Sequence, residues 1–222
     1  MAEAAKELFL FLSALFPIVD PLGGSPIFLV MTRECSPGTR RELSWRIAVN
    51  SFFLLVGSYF IGSHILSFFG ISLPVVRVGG GLVVIAAGWG LLKQGSVAEP
   101  KEVKRSIQPS DPFHNAFYPL TLPLTVGPGS ISVAITLGAN TPYHHGFHLL
   151  TVLVAIVGSA LLAVSIFLCY GFADRLGRIL GPTGMTVIVQ LTSFLLLCIG
   201  VQILGNGVRA LLEQVRLHAR LV

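Results

Sequence analysis

Apolar residues run in six blocks along the chain, and the short stretches between them gather most of the charge. The blocks cover about residues 7–32, 44–69, 73–93, 113–139, 147–171 and 184–208. A hydrocarbon core about 30 Å thick takes roughly 20 helical residues to cross, so each block can span a bilayer as an α-helix. Lipid offers no partner for backbone N–H and C=O groups, which leaves the helix as the spanning form for blocks of this length. The pattern predicts an all-α integral membrane protein with six transmembrane spans. The segment Met1 to Leu15 resembles a weak secretory signal. No small-x-small cleavage motif follows it, however, and Pro17, Asp20 and Pro21 come next. It reads as the first half of a retained span.

An echo at a spacing of 102 residues organises these spans. Phe16-Pro17-Ile18-Val19-Asp20-Pro21-Leu22-Gly23-Gly24-Ser25-Pro26 answers Tyr118-Pro119-Leu120-Thr121-Leu122-Pro123-Leu124-Thr125-Val126-Gly127-Pro128, with all three prolines in register. Gly81 to Leu92 similarly answers Ser193 to Leu204 at a spacing of 112. The expectation is a first three-span repeat over 1–93, a connecting loop over 94–112 and a second repeat over 113–222. An odd number of spans per repeat inverts the second copy, an architecture common among transporters with a site near the midplane.

Proline inside a helix removes a hydrogen bond and clashes with the preceding turn. The first and fourth spans are therefore expected to break at these motifs. Irregular backbone at membrane depth persists only where protein or a wet cavity surrounds it. Ser25-Pro26 and Gly127-Pro128 read as N-cap followed by proline at the first helical position. Each new N-terminus would suit an anion, and the carbonyls of the preceding half-helices a cation. The pair suits a zwitterion such as an amino acid.

Composition narrows the class. Charged residues make up 11% of the chain, against about 25% in soluble domains, and mean hydropathy is +0.80. The net charge of +5 comes without a basic stripe interleaved with aromatics, which argues against a nucleic-acid partner. Cys35, Cys169 and Cys198 are scattered and form neither a disulfide framework nor a zinc spacing. Ten of the Lys and Arg residues fall on the side of the first, third and fifth loops and five on the other. By the positive-inside rule both termini lie outside the cytoplasm.

Few residues outside the breaks carry candidate chemistry. Asp20 is the acid well inside a span. A lone acid there costs about 2.5–3.5 kcal/mol on insertion scales, so it reads either as a proton or cation carrier or as a structural cap ahead of Pro21. Asn50, His64 and Gln190 read as packing hydrogen bonds. His144, His145 and His148 read as a solvated loop rather than a metal site. Gly79, Gly80, Gly81, Gly88 and Gly90 permit close helix approach. Gly127-Pro128-Gly129-Ser130 lacks the lysine of a phosphate loop. No nucleophile–base constellation stands out, so an enzyme is not expected.

Several of these stretches resemble the MarC family of six-span bacterial membrane proteins, also called the small neutral amino acid transporter family. They are Val19 to Phe28, Phe69 to Leu73, Arg77 to Gly81, Pro119 to Pro123 running on to Gly127-Pro128-Gly129, and Gly200-Val201-Gln202. In many relatives the residue after the first glycine pair is not serine, so Ser25 is a feature of this member. The resemblance covers nearly the whole chain and implies an inner-membrane location. For some members it implies carriage of glycine, alanine or similar amino acids.

The expected function is a secondary carrier of small neutral amino acids coupled to H⁺ or Na⁺, with no other cofactor. Its substrate site is expected at Asp20, Gly23, Gly24, Ser25 and Pro26 of the first break. The second break adds Thr121, Thr125, Gly127, Pro128, Gly129 and Ser130. Asp20 would serve the ammonium or the coupling ion, and the amides at Ser25–Ile27 and Gly127–Ser130 the carboxylate. The rivals are an exporter or flippase of an amphipathic or lipid-linked compound, and a membrane scaffold without transport. The bilayer is the surrounding partner, and small-residue faces on the third and sixth spans permit a homo-oligomer without requiring one.

Overall fold

The computed structural model describes residues 2–32, 34–96, 114–139 and 148–221. Most of the predicted 94–112 connector, together with His144 and His145, lies outside these residues. The described chain is helical throughout: α1 (Ala2–Val19), α2 (Pro21–Met31), α3 (Pro37–Phe68), α4 (Leu73–Ser96), α5 (Pro128–Ala139), α6 (His148–Gly171) and α7 (Ala173–Leu221). A 3₁₀ turn (His114–Ala116) and a widely wound π segment (Phe117–Thr125) precede α5. Among the described residues five helices are long and apolar enough to cross a membrane, or six if the π segment and α5, bent by 64°, count as one span.

Local chemistry sets the boundaries. Ser36 caps α3, accepting from Thr39 N at 3.2 Å, with Pro37 at the first helical position. This start signal carries α3 seven residues ahead of the predicted apolar block at 44, through Arg40, Arg41 and Glu42. A helix can continue past the hydrocarbon into the headgroup region, where charge is tolerated, so the apolar block marks only its buried part. In α7 the sixth span begins after Gly181, whose φ of 65° and ψ of 178° interrupt the helix. Residues 173–180 form a separate short helix before it.

Two helix pairs build the bundle. α3 packs on α6, and α4 packs on α7; α2 lies against α7 and α6, while α5 lies against α4 and α3. Along the first pair the apolar core forms two clusters. One gathers Leu43 and Ile47 with Ile166 and Tyr170, and the other Leu55 and Tyr59 with Ala155 and Leu162. The second pair is held by glycine. A Cβ at Gly81 would fall 2.6 Å from Leu204 N, at Gly88 2.8 Å from Leu197 N, and at Gly200 2.7 Å from Ile85 N. Backbones approach this closely only where small residues face each other. Gly79 and Gly90, by contrast, face open space. Much of the small-residue surface on the third and sixth spans is thus spent inside the chain.

Arg40, counted in the sequence as a loop charge, is 8% exposed. Its guanidinium donates to Thr32 Oγ1 (3.0 Å), Thr32 O (2.8 Å) and Cys35 O (3.3 Å), and pairs with Asp174 in the first turn of α7. The planar fork of five donors suits this role. Arg40 closes the C-terminal end of α2 and ties it to α7.

Candidate functional site

The two sequence motifs interrupt their helices in different ways. In the first, Asp20 adopts left-handed backbone angles (φ 44°, ψ 64°), and its Oδ1 accepts from Gly23 N at 3.0 Å. Aspartate reaches this region more readily than most residues, because a short polar side chain can bond locally. Pro21 then occupies the first position of α2. The ladder barely lapses, since Asp20 N donates to Phe16 O and Gly24 N to Asp20 O, both at 2.9 Å. The predicted Ser25-Pro26 start is not where α2 begins. Pro26 lies inside α2, and the Ser25 hydroxyl donates back to Leu22 O at 2.8 Å. Asp20-Pro21 takes the cap-and-proline role, so the amides at Ser25–Ile27 belong to the body of a helix and not to an open N-terminus.

The second motif departs further from a helix. Tyr118 (φ −126°, ψ 123°) and Leu122 (φ −117°, ψ 118°) are extended, as residues before proline prefer, and each precedes a cis proline. Two threonines close the wide turns. Thr121 donates to Ala116 O (2.6 Å), Thr125 to Leu120 O (2.8 Å), and Val126 N returns to Thr121 O (2.8 Å). After a 64° bend, α5 starts at Pro128 as predicted. Gly127 before it has no side chain to cap with. The first turn of α5 closes with Ile131 N donating to Gly127 O at 3.1 Å, so the amides of Gly129 and Ser130 stand ahead of it at the positive end of the helix.

Both interruptions open on one cavity of about 140 Å³. Asp20, Gly23 and Gly24 line it from the first motif, and Thr125, Gly127, Pro128, Gly129 and Ser130 from the second. Eight of the eleven predicted residues therefore meet. Ser25, Pro26 and Thr121 do not line it; Thr121 is buried beside Asn50, whose Nδ2 donates to its hydroxyl at 3.4 Å. The hydroxyls of Thr125 and Ser130 already donate to backbone carbonyls, Ser130 to Gly127 O at 2.9 Å. Toward a ligand they are acceptors.

Sequence reasoning missed three contributions. Thr192 of α7 brings its hydroxyl up to Gly23 beside the Asp20 carboxylate, while donating to Ile188 O at 2.8 Å. Tyr170 of α6 is fully buried, stacks on Phe28 of α2 with ring centroids 4.7 Å apart, and lies 3.0 Å from Thr125 Oγ1 through its hydroxyl. One side chain thus braces both interrupted helices. The third is an apolar wall from α4, including Val83, Val84 and Ala87. Its four-residue spacing was visible, but a lipid-facing stripe has the same spacing. Among the described residues no group of three His, Cys, Asp or Glu comes together as a metal site.

Long apolar helices, two of them interrupted where they face a shared cavity, define a multi-pass integral membrane protein. Residues 5–212 match the family described as MarC family integral membrane protein, and the chain belongs to that family. It is 32% identical over 219 residues to the inner membrane protein MarC of Salmonella typhimurium, covering 96% of this chain and 99% of that one. The inner membrane proteins MarC of Citrobacter koseri and Escherichia coli are 31% and 29% identical, with the same coverage. No solved structure matches the chain.

Proposed function

We propose that this chain is a secondary carrier of small neutral amino acids in the bacterial inner membrane, coupled to H⁺ or Na⁺. One observation carries the reading: a single cavity has a carboxylate at one side, Asp20, and the N-terminus of α5 at another, Gly129 and Ser130. An ammonium group suits the first and a carboxylate the second. The cavity size agrees. A cavity of about 140 Å³ has room for a small solute such as an amino acid.

Inverted repeats are supported by reciprocal neighbours. α2 lies on α7 as α5 lies on α4, and the close approach of Gly81 to Gly200 matches that of Gly88 to Ser193 under the 112-residue echo. Alternating access would rock one such half against the other around the cavity. The arginine and lysine asymmetry of the loops supports an orientation with both termini outside the cytoplasm.

The test is uptake of labelled glycine, alanine and serine by purified protein in liposomes under imposed proton or sodium gradients, beside Asp20→Asn. Asparagine keeps an N-cap acceptor and tolerates left-handed backbone, so the variant removes charge while keeping the cap. Gradient-driven accumulation that Asp20→Asn abolishes is the expected result. Coupled uptake unchanged in the variant refutes the role of Asp20, and no flux by folded protein under any gradient refutes the carrier reading.

A further inference from the structure

The cavity has a side that neither motif supplies. Val83, Val84, Ala87 and Leu91 of α4, with Leu196 of α7, line it, and none of these side chains carries a polar atom. Val83, Ala87 and Leu91 recur every four residues and so form one stripe of α4. Val84 beside them is 3% exposed. It is pressed against α5 at Gly129, where any side chain would collide with its Cγ2. The wall is also fixed from behind, because Gly81, Gly88 and Gly200 bring the backbones of α4 and α7 into contact. The polar groups of the cavity therefore come from the interrupted helices, and α4 supplies one of its apolar faces, beside Ile18, Val19 and Ile27 of the first motif and Pro123 and Leu124 of the second.

A ligand whose charged groups are taken by Asp20 and by the amides of Gly129 and Ser130 has α4 as one apolar face for its remaining substituent. We propose that Val84 and Ala87 set the size of the substituent this site accepts, so that hydrogen and methyl enter while branched and aromatic groups are excluded. The proposal rests on the amino acid reading above for the identity of the charged groups, but not for the wall itself. An apolar pocket discriminates about 10–200-fold for each methylene gained or lost. Ala87→Leu puts an isobutyl group into the cavity in place of a methyl. Val84→Ala removes the side chain that fills the angle beside Gly129. Either change therefore moves the cut-off by at least about tenfold for the affected ligand.

The experiment is direct binding to purified full-length protein in detergent, read by calorimetry and by ligand-induced thermal stabilisation. The probes are glycine, alanine, valine, leucine and phenylalanine, with the primary amines and carboxylic acids of matching chain length. They are offered to the parent chain, Val84→Ala, Ala87→Leu and Val164→Ala. The last changes an exposed residue of α6 that does not line the cavity. The expected result is binding of glycine and alanine by the parent and the control. Val84→Ala gains valine or leucine at least tenfold, and Ala87→Leu loses alanine at least tenfold while keeping glycine. Amino acid binding with one size profile in all four proteins overturns the wall proposal and leaves the carrier reading standing. Amines or acids bound in place of amino acids, with a cut-off that moves, overturn that reading and uphold the wall. No binding of any series by folded protein overturns both. If Val84→Ala does not fold, Ala87→Leu decides alone, since Ala87 is exposed and replacing it leaves no void.

Discussion

Gly24 and Tyr170 meet where the two interrupted helices are braced, and a double-mutant cycle there tests the geometry directly. A Cβ added at Gly24 would land on the Tyr170 hydroxyl, with the ring atoms Cζ and Cε1 behind it at 3.3 and 3.4 Å. The tyrosine cannot swing aside, because it is fully buried, stacked on Phe28 and bonded to Thr125. Gly24→Ala is therefore an overpacking change, costing about 1–3 kcal/mol, reduced by the roughly 0.5–1 kcal/mol that alanine gains over glycine in a helix. Tyr170→Phe deletes one buried hydrogen bond at about 0.5–1.5 kcal/mol. Its partner stays satisfied, since Thr125 still donates to Leu120 O at 2.8 Å. In the double variant the colliding oxygen is gone, and only a carbon at 3.3 Å has to give by a few tenths of an ångström. The two costs should then fall short of their sum by about 1 kcal/mol. Unfolding of the four proteins in mixed detergent micelles at matched concentration measures this. Additivity within about 0.5 kcal/mol, or a neutral Gly24→Ala, would refute the proposed contact.

Other perturbations separate the remaining features. Gly200→Ala should destabilise by about 1–3 kcal/mol, because its Cβ would sit 2.7 Å from Ile85 N and 3.0 Å from Gly81 O, both backbone atoms. Gly205→Ala, which meets nothing within 4 Å, should be neutral or stabilising; equal thermal shifts for the two would contradict the close approach of α4 and α7. Arg40→Lys keeps the charge but loses the fork that reaches Thr32 and Cys35, and should cost about 1–3 kcal/mol. Asp174→Asn should cost less than about 1 kcal/mol, since that side chain is 40% exposed and the pair is partly screened; thermal unfolding at low and high salt checks both.

Six spans and two proline-rich interruptions were legible because their signals are local. Apolar block length and backbone donors lost to proline act on the residues that carry them. The exact point of the first interruption was not. Ser25-Pro26 and Asp20-Pro21 both satisfy the cap-then-proline rule, and adjacency alone ranks them equally. What separates them is the left-handed backbone that the interruption requires, which aspartate adopts more readily than serine. The second motif was read correctly at Gly127-Pro128, where no rival pair competes. Convergence of both motifs on one cavity followed from the echo, but the α4 wall did not. In a membrane, residues facing lipid and residues facing an apolar cavity are drawn from the same alphabet, so hydropathy cannot tell Ala87 from a lipid contact. Tyr170 was hidden for a related reason: its partners Phe28 and Thr125 lie far from it in sequence, on other helices.

The glycine contact between α4 and α7 has a further consequence for how this chain can vary. Most interior seams drift by trade, a larger residue on one side compensated by a smaller one opposite. Where Gly81 and Gly200 each lie against the other's carbonyl oxygen, at 2.9 and 3.0 Å for an added Cβ, there is nothing smaller left to trade. A methyl gained on either helix finds no concession on its neighbour and must be met by moving a whole backbone. The seam has no reserve of compensating substitutions, and its two sides are constrained separately.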